Sequence, residues 1–173
     1  MSQPTFHPSV NARVNKLGKR YEKLQAAAFH TIKDIAVFCE RNGPIFKKFM
    51  AYNDQLLHLL KEEKIPESLL KQQIDTSDAM AALGRRFTPM FSELVYSTKP
   101  KIDSIVDFGK TLERDLIALH ALRLQKEASE ALTSQLEQQT DTLARLHTEV
   151  RQLLNECVSA VQEMQATLKR SLN

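Results

Sequence analysis

Residues 143–164 read LARLHTEVRQLLNECVSAVQEM. In this run Leu143, Leu146, Val150, Leu153, Cys157, Ala160 and Met164 follow one another at alternating steps of three and four. In a helix of about 3.6 residues per turn, that alternation keeps one apolar stripe on one side. It is the a and d seam of a coiled coil. Such a stripe leaves water only by packing on another helix, so the sequence predicts an all-α chain.

Working outward, residues 101–172 contain no proline, and Gly109 is their single glycine. One unbroken helix here would be roughly 108 Å long. The expectation is therefore an elongated antiparallel helical bundle or coiled coil, kinked at Pro and Gly, with a long C-terminal helix. One soft spot interrupts it. The stripe Ile105, Phe108, Leu112, Leu116, Leu119 does not join the later seam cleanly across 123–131. A continuous helix that changes face is preferred, with a turn in Gln125–Ser129 as the alternative.

Upstream, Pro4 and Pro8 mark residues 1–8 as a loose arm. Val10, Val14, Leu17, Tyr21, Leu24, Ala28, Ile32, Ile35 and Cys39 then form a second seam, predicting a helix over 9–41. Asn42-Gly43-Pro44 should end or kink it, since Asn and Gly accept a left-handed cap and proline lacks the N–H of the helical ladder. Further helices are predicted over 45–63, 67–98 and 101–172, separated by Lys64-Ile65-Pro66 and Lys99-Pro100. Pro89 and Gly84 predict a kink near Arg85–Phe87. Folded back antiparallel, the segments before residue 64 could cover most of the final helix. The whole chain, 1–173, reads as one such domain.

Composition agrees. The 173 residues include 4 Gly, 6 Pro and no Trp, with 42% apolar and 26% charged residues. Leu, Ala, Glu, Gln and Lys lose little rotamer freedom in a helix. Residues 1–50 carry nine Lys/Arg against three Asp/Glu, and residues 101–173 carry nine against eleven. The front is basic and the rear mildly acidic. Cys39 and Cys157 both lie on apolar stripes, which predicts reduced, buried thiols. MSQPTFHPSV lacks a basic-then-apolar secretory pattern, and no run reaches the ~18 apolar residues of a membrane span. A cytoplasmic location is the expectation.

No catalytic residues are assigned. His7, His30, His58, His120 and His147 lack the paired spacing of a zinc site, so no metal and no cofactor is expected. There is no Gly-rich phosphate loop and no nucleophile elbow. Acidic pairs such as Glu62-Glu63 fall on solvent faces. The chain is expected not to be an enzyme. Two features remain. The seam Leu143, Leu146, Val150, Leu153, Cys157, Met164 is the candidate partner or oligomer surface. Arg13, Lys16, Lys19, Arg20 and Lys23, beside the apolar stripe of the first helix, are candidates for an anionic surface. Few aromatics and no base-reading motif argue against nucleic acid. In architecture, long kinked helices led by a basic helix are similar to BAR-type membrane-curving modules. That resemblance implies a dimeric peripheral membrane module as the alternative. The leading expectation is a non-enzymatic coiled-coil interaction or scaffold protein. It would pair through its helices with itself or with partner subunits of a larger cytoplasmic complex.

Overall fold

The computed structural model describes residues 5–61 and 67–172. Four helices account for nearly all of them: α1 (Asn11–Lys61), α2 (Glu67–Tyr96), α3 (Thr98–Ala121) and α4 (Lys126–Leu172). Among the described residues there is no strand. The apolar period of three and four, never two, is the reason.

Contacts divide the chain into two units. The first comprises the chain through Ile32 together with Ser97–Arg151; the second comprises Lys33–Tyr96 together with the chain from Gln152. In the first, α1, α3 and α4 pack together. Its core holds Val14, Leu17, Tyr21, Leu24 and Ala28 of α1, Ile102, Ile105, Phe108, Leu112 and Leu119 of α3, and Leu136, Leu143 and Val150 of α4. Polar contacts give the order of pairing. Arg13 meets Glu137, Arg20 meets Asp141, and Thr31 meets His147, so along α1 and α4 the contacts advance together. This is the reverse of a direct fold-back of α1 on α4. Along α3 they run the other way: Thr5 meets His120 and Tyr21 meets Ile105, while Lys101 meets Glu149.

The second unit packs α1, α2 and α4 around Phe38, Met80, Phe87, Leu94, Leu154, Cys157, Val161 and Met164. The rings of Phe46, Phe87 and Phe91 join, with Phe87 5.5 Å from each of the other two. Arg86 Nη1 donates to Glu163 Oε2 at 2.8 Å, across α2 and α4.

Several expected boundaries are corrected. Helix α1 does not end at Asn42-Gly43-Pro44; it runs through Pro44. Pro44 and Glu40, whose carbonyl loses the proline's missing N–H, are both exposed, so water can take up that carbonyl. The Asn42 side-chain amide donates to the Phe38 carbonyl at 2.8 Å. Phe38 and Cys39 before the proline, and Ile45 and Phe46 after it, pack into one core, which holds the helix across it. Gly43 does not adopt the left-handed backbone that a cap would need. Helix α2 is likewise continuous through Gly84 and Pro89. The break expected at 64–66 lies outside the described residues.

Lys99-Pro100 does not separate helices; both residues sit in the first turn of α3, and the break is the single residue Ser97. Proline needs no donor in a first turn, and its ring excludes the carbonyl four residues earlier. That residue is Tyr96, the last of α2. Nor is 101–172 one helix. A turn over Leu122–Gln125 separates α3 from α4. Gln125 N donates to the Leu122 carbonyl at 2.8 Å, and so does Ser129 Oγ at 2.8 Å. Doubling back lets Leu119 and Leu136 share one core, which a straight helix forbids. Residues 5–10 are not loose either: His120 Nδ1 donates to the Thr5 carbonyl at 2.9 Å, and Val10 is fully buried. Residues 1–4 of the expected arm lie outside the described residues.

Candidate interaction surfaces

The expected partner seam lies largely inside the chain. Leu143, Val150, Cys157 and Met164 are buried, at 8%, 1%, 0% and 1% exposure. Leu146 and Leu153 are half-buried. The buried line on α4 alternates differently from the expected one: Ser129, Thr133, Leu136, Thr140, Leu143, then His147 half-buried, then Val150, Leu154, Cys157, Val161, Met164. Both lines share every seventh residue. They differ because Leu154 rather than Leu153 turns inward and because His147 disguised a seam position; at 160–161 both residues are buried, so the expected Ala160 holds beside Val161. As a surface for partners, Leu143, Val150, Cys157 and Met164 are already covered by α1, α2 and α3.

Sequence reasoning missed the polar groups in that line. Thr133 and Thr140 donate to the carbonyls of Ser129 and Leu136, four residues earlier, so each satisfies its hydroxyl within α4. Thr31 Oγ1 donates to the Ala27 carbonyl at 3.0 Å, which leaves it to accept from His147 Nε2 at 2.9 Å. The visible signal was His147 standing at steps of four and three between Leu143 and Val150. Burial holds the imidazole pKa below its ordinary 6.5; the Ala27 carbonyl opposes this and the Arg151 charge adds to it. The unfolded chain therefore binds the proton first. This contribution to stability is complete above pH 6.5 and is lost as pH falls through that value toward the folded-state pKa. Urea unfolding between about pH 7.5 and about pH 5, on either side of the ordinary histidine range, should show stability falling with acid. His147→Gln should flatten that slope; an unchanged slope would assign it to other groups.

Tyr21 is the second group that spacing did not reveal. Its Oη donates to the Ile105 carbonyl at 2.8 Å, and its ring stands edge-on to Phe108 at 5.5 Å. This needs Gly109, since a Cβ there would lie 2.9 Å from the Tyr21 Oη. Gly109→Ala gains about 1 kcal/mol of helix propensity but drives into a buried, bonded hydroxyl, for which overpacking costs ~1–3 kcal/mol. Net destabilisation is expected. In a Tyr21→Phe background the hydroxyl is gone, and the nearest ring carbons lie at 3.5 Å, an ordinary contact. There Gly109→Ala should stabilise. The same sign in both backgrounds, read by thermal unfolding, would show that the contact does not decide the outcome.

The basic face divides in two. Arg13 pairs with Glu137 and donates to Ser134 Oγ at 3.0 Å, and Arg20 pairs with Asp141. Both are tied to α4. Lys16, Lys19 and Lys23 are exposed and make no ion pair. The adjoining stripe Val10, Val14, Leu17, Tyr21, Leu24 is buried in the first unit at 0–9% exposure. It is not available for insertion into anything.

Neither cysteine is poised for chemistry. Both are free thiols, Cys39 half-buried and Cys157 buried. Burial, with the nearby charges of Glu156, Cys39 and Glu93, pushes the Cys157 thiol up to about 11. Burial alone raises that of Cys39. A protonated thiol is a poor nucleophile and a poor metal ligand. Among the described residues, no group of three or more His, Cys, Asp or Glu is placed to hold a metal ion. No described helix is long and apolar enough to cross a membrane.

Large apolar side chains do remain outside. In the first unit Ile117 of α3 is 69% exposed and Leu124 of the following turn 87%. Ala121, between them, is exposed as well. No known family, curated protein sequence or solved structure matches the chain.

Proposed function

We propose that this chain is a non-enzymatic interaction or scaffold protein. It is an antiparallel helical bundle with coiled-coil-like seams, in which α3 or α2 opposes α1 and α4. It acts by self-assembly or as a subunit of a larger cytoplasmic complex. The observation that carries this reading is the exposure of Ile117 and Leu124 on a unit whose internal seams are filled. Large apolar side chains that the core leaves in water are surface that a protein contact would bury. The buried polar groups support the same reading, since their hydrogen bonds serve packing: Thr31 with His147, and Tyr21 with α3.

Light scattering coupled to chromatography tests it. A fixed stoichiometry above one is expected, reduced to one by Ile117→Asp with Leu124→Asp at unchanged helix content. A monomer whose solubility and stability ignore those substitutions sinks the self-assembling form. The subunit form then requires a partner whose affinity drops at least about tenfold with the same pair, the loss of ~1.4 kcal/mol expected for an interface anchor.

A further inference from the structure

We infer that Lys16, Lys19 and Lys23 form a docking face for an anionic lipid bilayer, bound at the level of its headgroups and without insertion. Three observations carry this beyond the scaffold reading. The first is the division of the basic run. Arg13 and Arg20 are neutralised by Glu137 and Asp141, whereas the three lysines have no carboxylate. The second is their spacing. Steps of three and four put all three on one side of α1, opposite Leu17, Tyr21 and Leu24, which are buried. The third is the chemistry of their surroundings. Ala12, Asn15 and Ala26 are the exposed residues among them, and Glu22 borders them.

That last point selects the partner. A helix of another protein would need apolar surface to bury, since exposed ion pairs alone hold proteins together weakly. Between Ala12 and Ala26 this face offers none beyond alanine; the exposed Phe29 lies a turn past Ala26, beyond the three lysines. A bilayer rich in acidic headgroups needs only positive charge close to its surface, and lysine's compact ammonium on a flexible stem supplies it. Each near-surface lysine raises partition about fivefold, and three together roughly 150-fold. The attraction should fade as the screening length shrinks from about 30 Å at 0.01 M salt to about 8 Å at 0.15 M.

The test is co-sedimentation of the full chain with vesicles of phosphatidylcholine containing about one third phosphatidylserine, at low salt, beside vesicles of phosphatidylcholine alone. Binding to the first and not the second is expected. K16E/K19E/K23E should abolish it with helix content unchanged. K16R/K19R/K23R should retain it. K110E/K126E/K169E changes the net charge equally at exposed positions elsewhere and should leave most of the binding intact. Absence of binding at low salt overturns the inference. So does equal loss in the two Glu triples, which would make the attraction one of net charge. Binding of poly-glutamate but not of the anionic vesicles would give the face to an acidic protein instead and also overturns it.

Discussion

Leu154→Ala should destabilise the second unit by about 2–5 kcal/mol, and Leu153→Ala by distinctly less. The two residues are adjacent and chemically identical, so only their position on α4 separates them. Leu154 is 5% exposed and belongs to the core with Phe38, Met80 and Phe87. Leu153 is half-buried at the edge of the same core. Truncating the first leaves a cavity among fixed neighbours. Truncating the second forfeits surface already partly in water, so the transfer term is smaller. Urea unfolding of both variants decides the register. If Leu153→Ala proves the costlier, the line Leu146, Val150, Leu153 is the true seam and α4 is rotated from the orientation described.

Phe87→Ala should cost about 3–5 kcal/mol, the largest single effect expected in the chain. Phe87 is 2% exposed and is among the largest fully buried side chains. It is also the common member of the aromatic trio. Its ring lies 5.5 Å from Phe46 on α1 and 5.5 Å from Phe91 one turn along α2. Such ring pairs contribute roughly 0.5–1.5 kcal/mol beyond their buried area. Removing Phe87 breaks two of the three contacts and leaves the Phe46–Phe91 pair at 6.0 Å without support. Phe87→Leu should recover a substantial part of the loss, because it refills most of the volume. A loss under about 1 kcal/mol for the alanine variant, below the range for emptying an aromatic core site, would mean that this core collapses freely around the gap.

The basic face shows how far a single residue type can be read. Spacing placed Arg13, Lys16, Lys19, Arg20 and Lys23 beside an apolar stripe. It could not tell that Glu137 and Asp141, more than a hundred residues away, would take the two arginines. Charge is local in the sequence, but its neutralisation depends on which helix lies alongside. Tyr21 and Gly109 make the same point for packing. Each is an ordinary member of a helical pattern; their contact exists only because α3 crosses α1 at that height.

By itself, the sequence determined that this protein is helical, which residues face inward along α1 as far as Ala28 and along α2 from Met80 to Leu94, and that the turn residues fall in few places; past Ala28 the expected Ile32 is 41% exposed, and Thr31 and Phe38 are buried instead. Those properties follow from local spacing: a period of three and four permits one apolar side whatever the partner. The core positions Val14, Leu17, Tyr21, Met80, Phe87 and Leu94 were all legible in this way. Tertiary structure decided the rest. Asn42-Gly43-Pro44 stayed helical because Phe38 and Phe46 are held by one core on both sides of the proline. The chain turned at Leu122–Gln125, despite residues that favour helix, because folding back buries Leu119 and Leu136 together. Helix propensity differs among such residues by tenths of a kcal/mol, whereas burying one leucine contributes about 1.5–3 kcal/mol. Where the two disagree, the packing of distant residues wins.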